Sequence, residues 1–150
     1  MGRGFLSFVE EVYKKIDEYV SWLKKNFKVK LVVLFGSLTK NSWVEGLSDA
    51  DLLIVAEGLA SNPMENYEKL KIVGVIEPLA YNPESLLEAL RNLKNFVVFD
   101  ALEDGKIIFA EKEYLDMVYK VFREAKKRYN LRRDKDGWRF SRLPEKHLNR

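Results

Sequence analysis

The chain has 150 residues, 47% hydrophobic and 33% charged, a composition that excludes a disordered polymer and favours one compact domain. It contains no cysteine, which excludes disulfides, thiolate metal sites and cysteine nucleophiles and agrees with a location in the reducing cytoplasm. Residues 120–150 carry 12 Lys and Arg against 4 Asp and Glu, a net +8, whereas the residues before them carry 14 against 19, a net −5. We therefore predict a domain at residues 1–130, whose part before residue 120 is acidic, and a basic C-terminal tail at 131–150, which could pack on the domain.

The first predicted element is a long amphipathic helix over residues 5–27. Apolar side chains recur there at steps of three and four residues, which places them on one stripe of a helix. Charged residues between them exclude a signal peptide and a membrane span. We expect this helix to cover the core.

Three strands are predicted next. Residues 29–35 are β-branched and almost wholly apolar, as in a strand covered on both faces, and a glycine–serine pair ends them. Residues 49–56 form a second buried strand. Residues 71–81 are the third candidate, and Pro78 places it at a sheet edge or a bulge because proline cannot donate to a ladder.

The second half of the chain is predicted to be mainly helical. A helix begins at Pro83, and a shorter amphipathic segment leads through a hairpin-like turn at 103–105 into residues 106–110. A last helix covers residues 112–129. Together the elements predict an α/β fold, in which a small mixed sheet of three or four strands carries acids at its open end and helices pack on one face.

The most informative side chains are acidic. Asp49 and Asp51 lie two residues apart at the start of a strand, so both project from the same face of the sheet. Carboxylates that close repel each other unless a cation lies between them, and hard divalent cations prefer oxygen ligands. We therefore predict Asp49 and Asp51 as metal ligands, with Glu77 on a neighbouring strand as a third ligand or as the base that activates an acceptor hydroxyl.

The Gly36-Ser37 pair supplies groups that bind phosphate. A glycine lets the backbone approach a triphosphate closely, and backbone N–H groups and the Ser37 hydroxyl can donate to it. Lys40 is placed to add a cationic contact. Phosphoryl transfer needs mainly positioning and charge neutralisation, so these residues with Mg²⁺ form a sufficient catalytic set.

Residues 34–37 followed by residues 48–55 resemble the signature of the DNA polymerase β-type nucleotidyltransferase superfamily, in its minimal stand-alone prokaryotic branch. In that signature a Gly-Ser pair precedes an Asp-x-Asp strand, and a third carboxylate follows on a later strand. The spacer between Ser37 and Asp49 is 11 residues here. The resemblance covers about residues 30–110, with the active-site half at about 30–81.

The resemblance implies an Mg²⁺-dependent transferase that uses two metal ions and ATP or another nucleoside triphosphate. The implied catalytic and metal-binding residues are Asp49, Asp51 and Glu77. The implied nucleotide contacts are Gly36, Ser37, Lys40 and Ser48. Within the minimal branch it further implies an antitoxin that transfers AMP to a helical partner toxin of the HEPN type.

Simpler explanations exist for the same residues. Asp49 and Asp51 could be solvated acids at a strand end, and Glu77 could be structural. Where the family usually has its third Asp, this sequence has Glu77, followed by Pro78. Where the family usually has a Gly after the Gly-Ser pair, this sequence has Asn41. These departures keep open a catalytically weak nucleotide-sensing or partner-binding module.

The tail suggests a third class of function. Its Lys and Arg side chains, interleaved with Trp138 and Phe140, could bind RNA, or they could be a solvated helix face with packing aromatics.

Two single residues stay open. Trp43 could stack on a base or cover the core, and His147 has no evident role. A homodimer is also left open.

Overall fold

The protein is described by a computed structural model that covers residues 2–40, 49–72 and 74–141. Helices and strands alternate along most of it. The elements in chain order are α1 (Gly2–Asn26), β1 (Lys28–Phe35), a 3₁₀ turn (Ser37–Lys40), β2 (Ala50–Glu57), α2 (Pro63–Leu70), β3 (Ile76–Tyr81), α3 (Pro83–Arg91), α4 (Phe96–Asp104), β4 (Lys106–Ala110), α5 (Lys112–Arg128), β5 (Arg132–Asp134) and β6 (Gly137–Arg139).

The main sheet is mixed and has the strand order β3-β2-β1-β4. Strand β1 runs antiparallel to β2 and to β4, whereas β2 and β3 are parallel and are connected through α2. Strand β3 lies at an edge, as Pro78 predicted, because an edge strand can leave one side of its backbone unpaired. The predicted α/β class with a small mixed sheet is confirmed.

Helices cover both faces of this sheet, which corrects the prediction of helices on one face only. Alternate residues of β1 point to opposite sides: Val32 and Leu34 join a buried cluster with α1 and α2, whereas Leu31 and Val33 join one with α3, α4 and α5. The reason lies in the strands themselves. A continuous apolar run has side chains on both faces, and both must be removed from water.

Several local predictions differ from the structure. The third strand begins at Ile76 and not at residue 71. Helix α2 was not predicted, although Asn62 caps it with a 2.9 Å hydrogen bond from the Met64 N–H and Pro63 occupies its first turn. The prediction of a hairpin-like turn at 103–105 was wrong, since residues 103 and 104 end α4 and Gly105 leads directly into β4. A side chain at Gly105 would collide with Val33, so the glycine allows the close approach of α4 to the sheet.

The C-terminal segment forms a short hairpin of β5 and β6 that contacts α4. The Trp138 ring stacks on Phe96, and its Nε1 donates a 2.8 Å hydrogen bond to Asp100 Oδ1. Leu131, just before the hairpin, is buried in the cluster of α3, α4 and α5. The domain boundary at residue 130 stays a prediction.

Candidate active site

The acids named from the sequence meet where β1 ends and β2 and β3 begin. Asp51 is paired across the ladder with Phe35 of β1 on one side and with Glu77 of β3 on the other. Neighbouring strands lie about 4.8 Å apart, and paired residues of parallel strands project from the same face. Asp51 and Glu77, 26 positions apart in the sequence numbering, are therefore side by side.

Gly36 has two separate reasons to lack a side chain. Its φ is +88°, a left-handed conformation that other residues rarely adopt, and a methyl group on its α-carbon would collide with the Asp51 carboxylate. The turn that follows is closed by Thr39, whose hydroxyl donates a 2.8 Å hydrogen bond to the Gly36 carbonyl. The backbone of Gly36 thus lies directly against Asp51.

The electrostatics of this end of the sheet are repulsive. Burial, followed by the negative charges of Asp49 and Glu77, raises the pKa of Asp51 to about 6. Asp49 itself is exposed just before β2. Three carboxyl groups are therefore close enough to affect one another, and a bound cation would relieve the repulsion.

Glu77 differs from Asp51 because it has two donors. Lys71 Nζ lies 3.1 Å from Glu77 Oε1, and the Tyr67 hydroxyl donates a hydrogen bond to Glu77 that raises the pKa of Tyr67. The Glu77 carboxylate thus takes part in an ion pair with Lys71. This arrangement was not predicted.

Helix α2 positions both donors. Asn66 is fully buried, and its side-chain amide donates to the carbonyls of Ala60 at 2.8 Å and Ala80 at 3.0 Å while its Oδ1 accepts from the Ala60 N–H at 2.8 Å. These bonds fix α2 against β3. Tyr67 follows Asn66, and Lys71 follows the end of the helix, so both reach the start of β3.

An open pocket of about 310 Å³ lies beside the acids. Its lining combines Asp51, Glu77 and Tyr67 with apolar side chains that include Leu79 and Val97. Such a pocket can take a ligand that has both charged and apolar parts. A nucleotide has this character.

Carboxylate oxygens are the donors that Mg²⁺ prefers, and Asp51 is a partly buried carboxylate close to two further acids. Asp49 and Asp51 therefore fit a divalent metal. Lys71 lies 3.1 Å from one oxygen of Glu77, and within the described ranges no three Asp, Glu, His or Cys side chains are grouped so that they could hold a metal ion.

The predicted nucleotide contacts are only partly described. Ser37 begins the 3₁₀ turn next to Gly36, and the backbone of Lys40 ends it. The Lys40 side chain and the whole of Ser48 lie outside the described residues, as do Asn41 and Trp43. The roles of these residues stay predictions.

Sequence reasoning missed Tyr67 and Lys71. Their spacing of four residues is that of one helix face, and the Asn62-Pro63 pair marks a helix start, so the signal was present but short. Lys71 was instead assigned to the third strand. Nothing in the sequence pattern indicated that it would reach Glu77.

Basic side chains of the C-terminal region are partly neutralised within the protein. Arg133 pairs with Asp100 at 3.1 Å and also with Asp104, and Lys126 pairs with Glu103 at 2.9 Å. The Trp138 ring is used for packing. These contacts give Arg133, Lys126 and Trp138 structural roles, and RNA binding by the other basic residues stays a prediction.

In the described part of the chain, no helix is both long enough and apolar enough to cross a membrane.

Comparisons with known proteins identify the family and the fold of this chain. A family model described as a nucleotidyltransferase domain matches residues 14–117. A proposed nucleotidyltransferase from Sulfolobus solfataricus has a similar fold, with a TM-score of 0.52, 16% identity, and coverage of 72% of this chain and 88% of that one. A chain from a structure of a toxin–antitoxin with AMP-PNP gives a TM-score of 0.50 at 17% identity, over 74% of this chain and 86% of that one.

At these identities the two structures show a shared fold and no more. No curated protein sequence matches this chain significantly. The resemblance predicted from residues 34–37 and 48–55 is confirmed by the family model, which spans both segments.

Proposed function

This chain belongs to the nucleotidyltransferase domain family, and from that premise we propose that it is a transferase that moves AMP from ATP to an acceptor protein. Nucleotidyl transfer in general follows from the family. The donor, the acceptor and the role of each residue are the proposal.

The observation that carries the proposal is the meeting of Gly36, Asp51 and Glu77 at one end of the sheet. A glycine backbone lies against an acid whose pKa is raised by burial and by two further acids. An ordinary strand end does not require a glycine there, nor does it gather like charges. A site for a metal-bound triphosphate requires both.

Asp49 and Asp51 would hold the divalent metal, which when bound supplies neutralisation of the triphosphate charge. Gly36 leaves room for the phosphates, and Ser37 is placed to donate to them. In the reaction an acceptor hydroxyl oxygen forms a bond to the α-phosphorus, the bond from that phosphorus to the bridging oxygen of the β-phosphate breaks, and pyrophosphate leaves. The hydroxyl proton passes to a carboxylate of the site, and Glu77 is the candidate either for this base or for a third metal ligand.

ATP is the first donor to test because the similar toxin–antitoxin structure was solved with AMP-PNP, an ATP analogue. The same structure supports a partner protein as the acceptor. A helical toxin of the HEPN type, implied by the sequence resemblance, is the first candidate.

Purified protein is incubated with Mg²⁺ and ATP labelled at the α-phosphate, with and without the candidate partner. We expect label on the partner with the wild type and none with Asp49→Asn or Asp51→Asn. Asp17→Asn, which removes a charge from the exposed face of α1, is the matched control and should transfer like the wild type. Equal transfer by wild type and Asp51→Asn would contradict the assignment of the site.

A second candidate is a nucleotide-sensing or partner-binding module without turnover, and the pairing of Glu77 with Lys71 favours it. Such a module binds ATP and partner but transfers no label. It would keep its partner affinity in Asp51→Asn, which a direct binding measurement with the same variants detects.

A further inference from the structure

The Lys71 ammonium is held entirely by oxygen atoms. Its Nζ donates to the carbonyl of Ile76 at 2.8 Å, to the carbonyl of Gly74 at 3.3 Å and to Glu77 Oε1 at 3.1 Å. These three acceptors match its three N–H groups. Two carbonyls and one carboxylate are also a set of ligands that a hard divalent cation accepts.

The Lys71 ammonium contacts Glu77, which lies on the edge strand β3 and is therefore nearer the edge of the sheet than Asp51. Among the described residues, Lys71 Nζ lies against Glu77 Oε1 and not against Asp51, the neighbour of Glu77 across the ladder. The lysine therefore neutralises Glu77 alone. A divalent cation between Asp51 and Glu77 would serve both.

We propose that Lys71 is a positioning residue that competes with the divalent metal for Glu77: it holds this carboxylate in the free protein and leaves it when the metal binds. The proposal rests on the proposed function, because it takes the acids as the metal site. It explains why Glu77, the predicted third ligand, is paired with a lysine.

Mn²⁺ binding without nucleotide tests the competition directly. The loss of the free Mn²⁺ signal in electron paramagnetic resonance gives the affinity of wild type, Lys71→Met and Lys69→Met. Lys69 is exposed on α2 two residues away, so its variant controls for the loss of one positive charge. A neighbouring opposite charge changes the proton affinity of a carboxylate by about tenfold or more, and we expect Lys71→Met to bind Mn²⁺ tighter by the same order.

A Lys71→Met affinity no higher than that of Lys69→Met would overturn the proposal. Loss of Mn²⁺ binding and of label transfer in Asp51→Asn, together with equal affinity in the two lysine variants, would leave the proposed function standing and reject the role of Lys71 alone. Failure of both wild type and Lys71→Met to bind Mn²⁺ without nucleotide would reject the competition in the free protein, and the label-transfer assay then decides the proposed function separately.

A second measurement uses the wild type and so does not depend on whether Lys71→Met folds. Lysines are acetylated with and without Mg²⁺, and the modification of each site is measured by mass spectrometry. In the structure the Lys71 side chain is 26% exposed. We expect the modification of Lys71 to rise when Mg²⁺ displaces it from Glu77, whereas that of Lys69 stays constant. Equal modification of Lys71 in both conditions, at Mg²⁺ concentrations that saturate the site, would contradict the displacement.

Discussion

Carboxylates gather in two regions of this protein, and their surroundings are opposite. At the end of the main sheet, burial and the neighbouring acids raise the pKa of Asp51 to about 6. In the C-terminal hairpin, the Arg139 guanidinium and backbone donors lower the pKa of Asp134, and Arg133 lies between Asp100 and Asp104. The hairpin provides each acid with a partner inside the chain, whereas the sheet end keeps Asp51 without full compensation.

This difference separates a structural use of charge from a functional one. Paired charges hold the hairpin on α4, and they need nothing from outside the protein. Like charges that the pairing of strands holds close together destabilise the folded protein. Ionisable groups whose pKa values are perturbed in this way are typical of binding and catalytic sites. The contrast therefore supports the sheet end as the site better than the presence of acidic residues alone.

The largest expected effect comes from exchanging one acid in each region. Asp51→Asn should reduce label transfer by about 10²–10³ or more, because a preorganised charge at the reacting phosphate is lost. Asp100→Asn removes an acid of similar size from the hairpin contact and should leave transfer within about twofold of wild type once folded protein is compared. Initial rates with labelled ATP and partner measure both, and a similar loss in the two variants would remove the distinction between the regions.

A glycine substitution tests how closely the backbone must approach Asp51. Gly36→Ala should lower the free energy of unfolding by about 3 kcal/mol, since it combines left-handed backbone strain with a collision against the carboxylate. Gly58→Ala is the matched control, because Gly58 has a φ of +93° but open space around its α-carbon, and about 1 kcal/mol is expected there. Urea denaturation gives both values, and equal losses would mean that contact with Asp51 costs nothing.

The raised pKa of Asp51 predicts a pH dependence of stability. A carboxyl group whose pKa is higher in the folded than in the unfolded protein contributes stability that is fully present below its unfolded pKa of 3.8 and is lost as the pH rises through about 6. Without divalent metal, Asp51→Asn should therefore be more stable than wild type at pH 7, by up to about 2 kcal/mol, and this advantage should shrink towards pH 4.

Thermal or urea unfolding in EDTA at several pH values measures this difference, and Asp17→Asn controls for the removal of one negative charge. An Asp51→Asn variant that is less stable than wild type at pH 7 would show that the carboxylate makes favourable contacts in the free protein. The sheet end would then resemble the hairpin.

The sequence was sufficient where periodicity and composition act locally. The stripe of α1, the apolar runs of β1 and β2 and the proline of β3 gave these elements within a few residues, except for the start of β3. Asp49 and Asp51 could be named because alternation along a strand fixes which side chains share a face, whereas Glu77 was named from its place on a later strand and from the family resemblance. Their register across two strands, which places Asp51 beside Glu77, depends on pairings that no local pattern contains.

The parts that could not be predicted depend on contacts between distant segments. Helix α2 is short, and its position is set by the buried Asn66, whose partners Ala60 and Ala80 lie on either side of it in the chain. The ion pair of Lys71 with Glu77 follows from that position. In the same way, Trp138 is visible in the sequence as an aromatic residue in a basic segment, but its contact with Asp100 is not.

The smallest expected effect concerns the C-terminal hairpin and tests again whether its charges are structural and those at the end of the main sheet functional. Trp138→Phe keeps an aromatic ring against Phe96 but removes the 2.8 Å hydrogen bond from Nε1 to Asp100, so the free energy of unfolding should fall by about 1–2 kcal/mol. Label transfer by the folded variant should be unchanged, since the hairpin is not expected to contact the nucleotide. Urea denaturation and the transfer assay are measured on the same preparation. A fall in transfer that exceeds the loss of folded protein would show that the hairpin takes part in acceptor binding, and the division between a structural and a functional use of charge would no longer hold.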